Sequence, residues 1–166
     1  MAFKFMEKLG LGDNNKIEIL SPIEGETCSL EEVSDPTFQQ KILGDGIAIK
    51  PRSTKVVSPV NGTIAVVFHT KHAISIIADD GIELLIHVGI DTVNLKGEYF
   101  SAHVNAGDKV KAGDLLLEFD MDGIIGKGYQ LITPVIVCNT ANYSEVLPHT
   151  GNSVRALDKI ITLKTK

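Results

Sequence analysis

Short apolar runs rich in Ile, Val and Leu, broken by Gly, Pro, Asn and Asp, recur along this chain. Runs of that length bounded by turn residues predict β-strands packed into a sandwich or barrel. The predicted strands are Ile17–Leu20, Gly25–Ser29, Ile47–Lys50, Lys55–Ser58, Gly62–Phe68, Ala73–Ala78, Ile82–Val88, Leu115–Asp120, Leu131–Val137 and Lys159–Leu163. Ser29-x-x-Glu32 has the spacing that caps one helical turn. Pro36 then breaks the chain, and Phe38–Leu43 makes a second turn ending at Gly44. Little other helix is expected.

A weak internal echo relates Ser21-Pro22-Ile23-Glu24-Gly25 to Ser58-Pro59-Val60-Asn61-Gly62. Two copies of one strand–turn unit suit a duplicated sandwich. The stretch Ala106-Gly107-Asp108 to Ala112-Gly113-Asp114 resembles the turn region of biotin- and lipoyl-carrier domains. Those domains need an exposed lysine at a hairpin tip. Asp120-Met121-Asp122-Gly123 occupies the comparable place here without one, so the likeness is architectural.

The densest chemistry lies around Asp79-Asp80-Gly81. Two β-branched runs flank it, and it reads as a hairpin turn. His72 precedes the turn and His87 follows it. Side chains alternate faces along a strand. With a loop of two or four residues, His87 lies opposite either His72 or Ile74, and both imidazoles share a face. Opposite Cβ atoms are then about 4.5–5.5 Å apart and diagonal ones about 7–8 Å. An odd loop without a bulge splits the pair. The even register puts Phe68, Thr70, His72, Ile74, Leu85 and His87 on one face, and a nearly all-apolar core set on the other. An apolar face with a polar centre is the expected make-up of a docking patch. His69, His103 and His149 read as ordinary structural histidines.

Composition narrows the field. A chain of 166 residues is expected to form one domain and buries roughly 70% of its unfolded surface. A net charge of −5 disfavours nucleic acid. Cys28 and Cys138 form no motif and read as small strand residues in a reducing compartment. No signal peptide is recognised at the start, and no apolar stretch approaches the length of a membrane span. The expected location is the cytoplasm. Phe3, Phe5, Met6, Leu9 and Leu11, with Lys4, Glu7 and Lys8 between them, have the make-up of a surface-seeking amphipathic helix. Residues 1–15 are expected to form a flexible arm, with membrane-surface contact through residues 1–11 as a hypothesis. Residues 16–166 are expected to form the folded unit.

Two histidines are half a zinc site, since zinc takes three or four protein ligands. Glu83, four residues from His87, stands about 13 Å along the strand, too far to join them. The sequence has neither HExxH nor CxxC, and no phosphate-cradling glycine loop or nucleotide fingerprint. Nothing in the sequence marks a nucleotide site.

Lys71-His72-Ala73-Ile74-Ser75-Ile76, with Gly81-Ile82-Glu83-Leu84-Leu85-Ile86-His87-Val88-Gly89-Ile90-Asp91-Thr92-Val93-Asn94-Leu95-Lys96-Gly97, closely resembles the glucose-type IIA proteins of the bacterial phosphoenolpyruvate–sugar phosphotransferase system. Gly44–Pro51, Ser58–Ile64 and Val110–Asp114 extend the likeness, which covers residues 17–166. The resemblance implies an all-β antiparallel sandwich, a barrel–sandwich hybrid of the duplicated hybrid type. It implies a phosphocarrier with the phosphoryl group on His87 and His72 as its partner. Thr70 would support His72, and the Gly89 carbonyl would hold the ring of His87. Phe38, Ile42, Phe68, Leu85 and Val93 would form the apolar docking rim, where Leu85 replaces an aromatic found in some members. Asp35 and Asp91 would contact incoming carriers. The implied partners are the histidine-containing carrier protein HPr as donor, and the IIB domain of a glucose-type permease as acceptor. The resemblance implies no resident cofactor. It allows a zinc shared by His72 and His87 with a regulatory partner. A non-catalytic regulator and a zinc-dependent cell-wall peptidase of related sandwich fold are the competing expectations.

Imidazole suits the carrier's task. Near its ordinary pKa it is largely neutral in the cell, and one ring nitrogen keeps a lone pair. Phosphoryl transfer asks the protein mainly for positioning and for donors to the equatorial oxygens.

Overall fold

The computed structural model describes residues 15–166. The N-terminal arm lies, apart from Asn15, outside the described residues. Fourteen strands and two short helices follow in chain order. They are β1 (Lys16–Leu20), β2 (Gly25–Cys28), α1 (Pro36–Gln39), β3 (Asp45–Pro51), β4 (Lys55–Val57), β5 (Gly62–Val67), β6 (Ala73–Ala78), β7 (Glu83–His87), β8 (Phe100–Ala102), β9 (Lys109–Val110), β10 (Leu115–Phe119), α2 (Met121–Gly126), β11 (Thr133–Val137), β12 (Tyr143–Pro148), β13 (Ser153–Val154) and β14 (Lys159–Thr165). All sheet pairings are antiparallel. An eight-stranded sheet runs β13-β2-β3-β11-β7-β6-β5-β9, and two three-stranded sheets run β1-β14-β12 and β4-β10-β8.

The central strands of the large sheet are buried on both faces. Ile47, Ile49, Ile74, Ile76, Leu84, Ile86, Val135 and Val137 point into the main core with Val56, Leu116, Phe119, Ile161 and Leu163 of the smaller sheets. The alternate residues Ala48, Ala73, Leu85 and Ile136 form a second, smaller core under Leu30, Val33 and Phe38. The segment between β2 and β3 covers that face. It is pinned by Ser29, which accepts from Glu31 N–H, and by Asp35, which accepts from Thr37 N–H.

The internal echo marks a structural repeat. Ser21 Oγ donates to the Ile23 carbonyl and Ser58 Oγ to the Val60 carbonyl, both at 2.6 Å. Ser21 N–H donates to Asp158 and takes a bond back from Leu157; Ser58 does the same with Asp114 and Gly113. Each partner turn is closed by its aspartate, at 2.8 Å from Arg155 N–H in one copy and Lys111 N–H in the other.

The structure departs from the sequence expectation at several points. Pro36 starts a helix instead of breaking the chain, because it occupies the first turn, where its missing N–H costs nothing. The residues after α1, up to Gly44, are turns. Asp120-Met121-Asp122-Gly123 is no hairpin tip: Asp120 caps α2 by accepting from Gly123 N–H. Strands β8, β9, β12 and β13 were not expected; they are short or polar and are fixed by pairing rather than by pattern. Cys28 is buried in β2, but Cys138 is exposed in the turn after β11.

The β6–β7 register also differs. Ala73 pairs with His87, Ile74 with Ile86 and Ile77 with Glu83. Asp79, Asp80 and Gly81 form an odd, three-residue loop closed by Gly81 N–H to the Ala78 carbonyl. Ile74 therefore faces the main core, and Ala73 shares the face of Leu85 and His87.

Candidate active site: a histidine pair at the end of β6 and β7

An odd loop should have put the two imidazoles on opposite faces of the sheet. Their ring centroids are nevertheless 4.6 Å apart, with the planes at 86°. The resolution lies in the preceding turn. Phe68 N–H donates to the Ala73 carbonyl and Lys71 N–H to the Phe68 carbonyl, so His72 is the last residue of the β5–β6 turn and not a strand residue. Lys71 is left-handed at φ 62°, which swings the chain just before His72. His87 reaches the site by strand alternation. His72 reaches it from a turn.

Each ring is held through Nδ1. His87 Nδ1 lies 2.8 Å from the Gly89 carbonyl. A carbonyl only accepts, so Nδ1 carries the proton and Nε2 keeps its lone pair. Thr70 Oγ1 lies 2.7 Å from His72 Nδ1. Phe38 packs on His87 with centroids 4.8 Å apart, and Phe68 packs edge-on to His72 at 5.7 Å. Phe100, a residue of the main core that the sequence did not flag, lies 6.5 Å from His72 on its inner side.

Burial favours the neutral form of both rings. His72 is 2% exposed. Desolvation, helped by the neighbouring His87, lowers its pKa to about 4. Desolvation also lowers the pKa of His87; its bond to Gly89 and the fields of Asp35 and Asp91 oppose this. Asp91 is left-handed at φ 60° and makes no capping hydrogen bond, although it begins the 3-10 turn Thr92–Leu95.

The residues expected to form one open apolar rim divide between surface and core. Ile42 is 66% exposed, Val93 48% and Phe68 37%. Phe38 and Leu85 are buried beneath, in the second core. Asp35 sits at the start of α1. Glu83 pairs with Ile77 near the far end of the hairpin. Among the described residues no group of three or more His, Cys, Asp or Glu is placed to hold a metal ion.

An all-β sandwich with two desolvated imidazoles in contact, one of them fixed as the Nδ1–H tautomer by a backbone carbonyl, has the make-up of a histidine-based carrier. Comparison with known proteins agrees. Residues 17–143 match the family described as the phosphoenolpyruvate-dependent sugar phosphotransferase system, EIIA 1. The chain is 49% identical over 144 residues to the PTS system glucose-specific EIIA component of Oceanobacillus iheyensis, covering 87% of each. It is 44% identical over 151 residues to that of Buchnera aphidicola, covering 91% of this chain and 94% of the relative. It is 52% identical over 126 residues to the PTS system beta-glucoside-specific EIIBCA component of Bacillus subtilis, covering 76% of this chain and 21% of that one. Glucose permease IIA from Mycoplasma capricolum superposes with a TM-score of 0.83 at 34% identity, over 89% of this chain and 95% of that one. The chain belongs to the EIIA 1 family of the phosphoenolpyruvate-dependent sugar phosphotransferase system. It is a glucose-type phosphocarrier, a phosphotransferase component.

Proposed function

We propose that His87 is the residue that carries the phosphoryl group and that His72 is its donor partner. The observation that supports this most directly is the bond from His87 Nδ1–H to the Gly89 carbonyl, with a second imidazole across the dent. The lone pair on His87 Nε2 attacks the phosphorus of a phosphohistidine on the donor. The new N–P bond forms as the old one breaks, and the old bond's electron pair returns to the donor's ring. His72, neutral and taking the Thr70 hydroxyl proton at Nδ1, presents Nε2–H to the phosphoryl oxygens. Fixed donors in a dry site stabilise the charge that spreads over those oxygens.

The donor is phosphorylated HPr, with Asp35 and Asp91 facing it across the Ile42, Phe68 and Val93 rim. The acceptor is the IIB domain of a glucose-type permease; relatives named EIIBCA components, such as that of Dickeya chrysanthemi, support a IIB partnership. Both interfaces are short-lived and bury no more than about 1,200 Å². Residues 16–166 act as one unit in the cytoplasm. No resident cofactor is needed. A regulatory partner that brings a carboxylate completes a zinc site on His72 and His87. Incubation with phosphoenolpyruvate, the first general phosphotransferase protein and HPr, followed by mass mapping, tests the reading. A single acid-labile phosphate on His87, lost in His87→Ala, is expected. The same label on another histidine overturns it.

A further inference from the structure

We propose that Thr92 is a positioning residue for both imidazoles, acting through the turn that follows β7; this rests on the assignment of His87 as the phosphate carrier. Thr92 is fully buried, yet its hydroxyl reaches back 2.6 Å to the Val88 carbonyl. Val88 is fully buried too, and its own N–H donates to the His72 carbonyl at 2.8 Å. One hydroxyl therefore holds the carbonyl side of Val88, a residue whose amide side is bonded to the backbone of His72. The next carbonyl along is that of Gly89, the acceptor for His87 Nδ1.

The turn leaves little slack. Gly89 is left-handed at φ 80°, and a Cβ there would lie 2.6 Å from Thr92 Cγ2 and 2.8 Å from the Gln130 carbonyl oxygen. That same Gln130 carbonyl accepts from Ile90 N–H at 3.1 Å. Thr92 thus holds the turn in two ways. Its hydroxyl closes the loop on Val88, and its methyl fills the space that glycine leaves. Together these aim the Gly89 carbonyl at Nδ1. Without the hydroxyl, the Val88 carbonyl is left buried and short of a partner. The turn then relaxes, the carbonyl swings away and His87 is released to populate both tautomers. A misplacement of that size costs phosphoryl acceptance at least about tenfold.

Thr92→Val keeps the shape and removes the donor. Thr92→Ser keeps the donor. Nitrogen chemical shifts of the His87 ring in the unphosphorylated protein report the tautomer, and a fold defect elsewhere does not mix tautomers at this ring. The wild type should show one tautomer, with Nε2 unprotonated; Thr92→Ser, which keeps the donor and loses the methyl, should stay closer to the wild type in tautomer and in acceptance from phosphorylated HPr than Thr92→Val. Thr92→Val should show mixed tautomers and slowed acceptance. A folded Thr92→Val with one tautomer and an unchanged rate overturns the proposal. If Thr92→Val does not fold, exchange of the Thr92 hydroxyl proton in the wild type decides. Protection supports the clamp, and exchange as fast as that of exposed threonines overturns it. Failure of wild-type His87 to accept phosphate instead strikes the parent assignment, leaving the tautomer result readable.

Discussion

His72 lies across from Val88, not from His87: the Val88 N–H donates to the His72 carbonyl at 2.8 Å. The residue facing His87 is Ala73. The imidazoles meet because one leaves a turn and the other a strand end, at the same rim of the sheet.

Ala73 is fully buried among Phe38, Leu85 and Ile136. Ala73→Val adds two methyl groups to a packed cluster directly opposite His87. It should cost about 1–3 kcal/mol, read as a lower urea midpoint, and should slow phosphate acceptance by crowding the ring. An unchanged midpoint and rate would mean that the space under His87 is loosely filled.

Gly81 and Gly89 give a controlled comparison. Both have positive φ, but a Cβ at Gly81 meets nothing within 4 Å. Gly81→Ala should cost about 1–2 kcal/mol, the backbone penalty alone, with acceptance unchanged. Gly89→Ala must also displace the Gln130 carbonyl and the Thr92 methyl. It should destabilise more and largely abolish acceptance. Denaturation and phosphorylation assays run side by side check both statements.

The depressed pKa of His72 sets an acid limit. Its folded value, about 4, lies below the ordinary 6.5 of an unfolded chain. Between those values the unfolded chain binds more protons, so stability falls as pH falls. The contribution is fully present above pH 6.5 and is lost on the way to pH 4, a total on the order of 3 kcal/mol. Chemical denaturation at pH 7 and pH 4.5 should show a smaller acid loss in His72→Gln than in the wild type. Equal losses would contradict the desolvated environment assigned to this ring.

Asp35 raises the pKa of His87 against the dominant desolvation. Asp35→Asn keeps an oxygen to accept from Thr37 N–H, so α1 should persist. Removing the charge should move the His87 titration lower, seen by NMR, and should weaken the encounter with HPr in a salt-dependent way. A rise in the His87 pKa would reverse the assigned sign.

Legibility followed the physics of each element. Strand β6 was readable at both ends, and β7 to within a residue, because apolar, β-branched runs bounded by turn residues carry that signal themselves. The repeated Ser-Pro turns were readable because a serine bonded two residues ahead is a local device. Strands β8 and β12 were not, since one is three residues long and the other mixes polar and apolar residues without a run, so pairing and not pattern defines them. The register failed for a definite reason: Asp-Asp-Gly suits loops of two, three or four residues, and packing of Ile74 and Ile86 in the main core chose three. The histidine pair survived that error only because Lys71 turns the chain. The sequence motif held Thr92 in plain view, but nothing local distinguishes a threonine that clamps a turn from one that merely fills it. Phe100 carried no signal at all.

The main-chain link between Val88 and His72 makes the two rings parts of one stiff fixture. A carrier built so presents both rings already aimed, ready for its next visitor once the last has gone. Its tempo then belongs to collision and release, and should slow with solvent viscosity while staying indifferent to changes in remote loops.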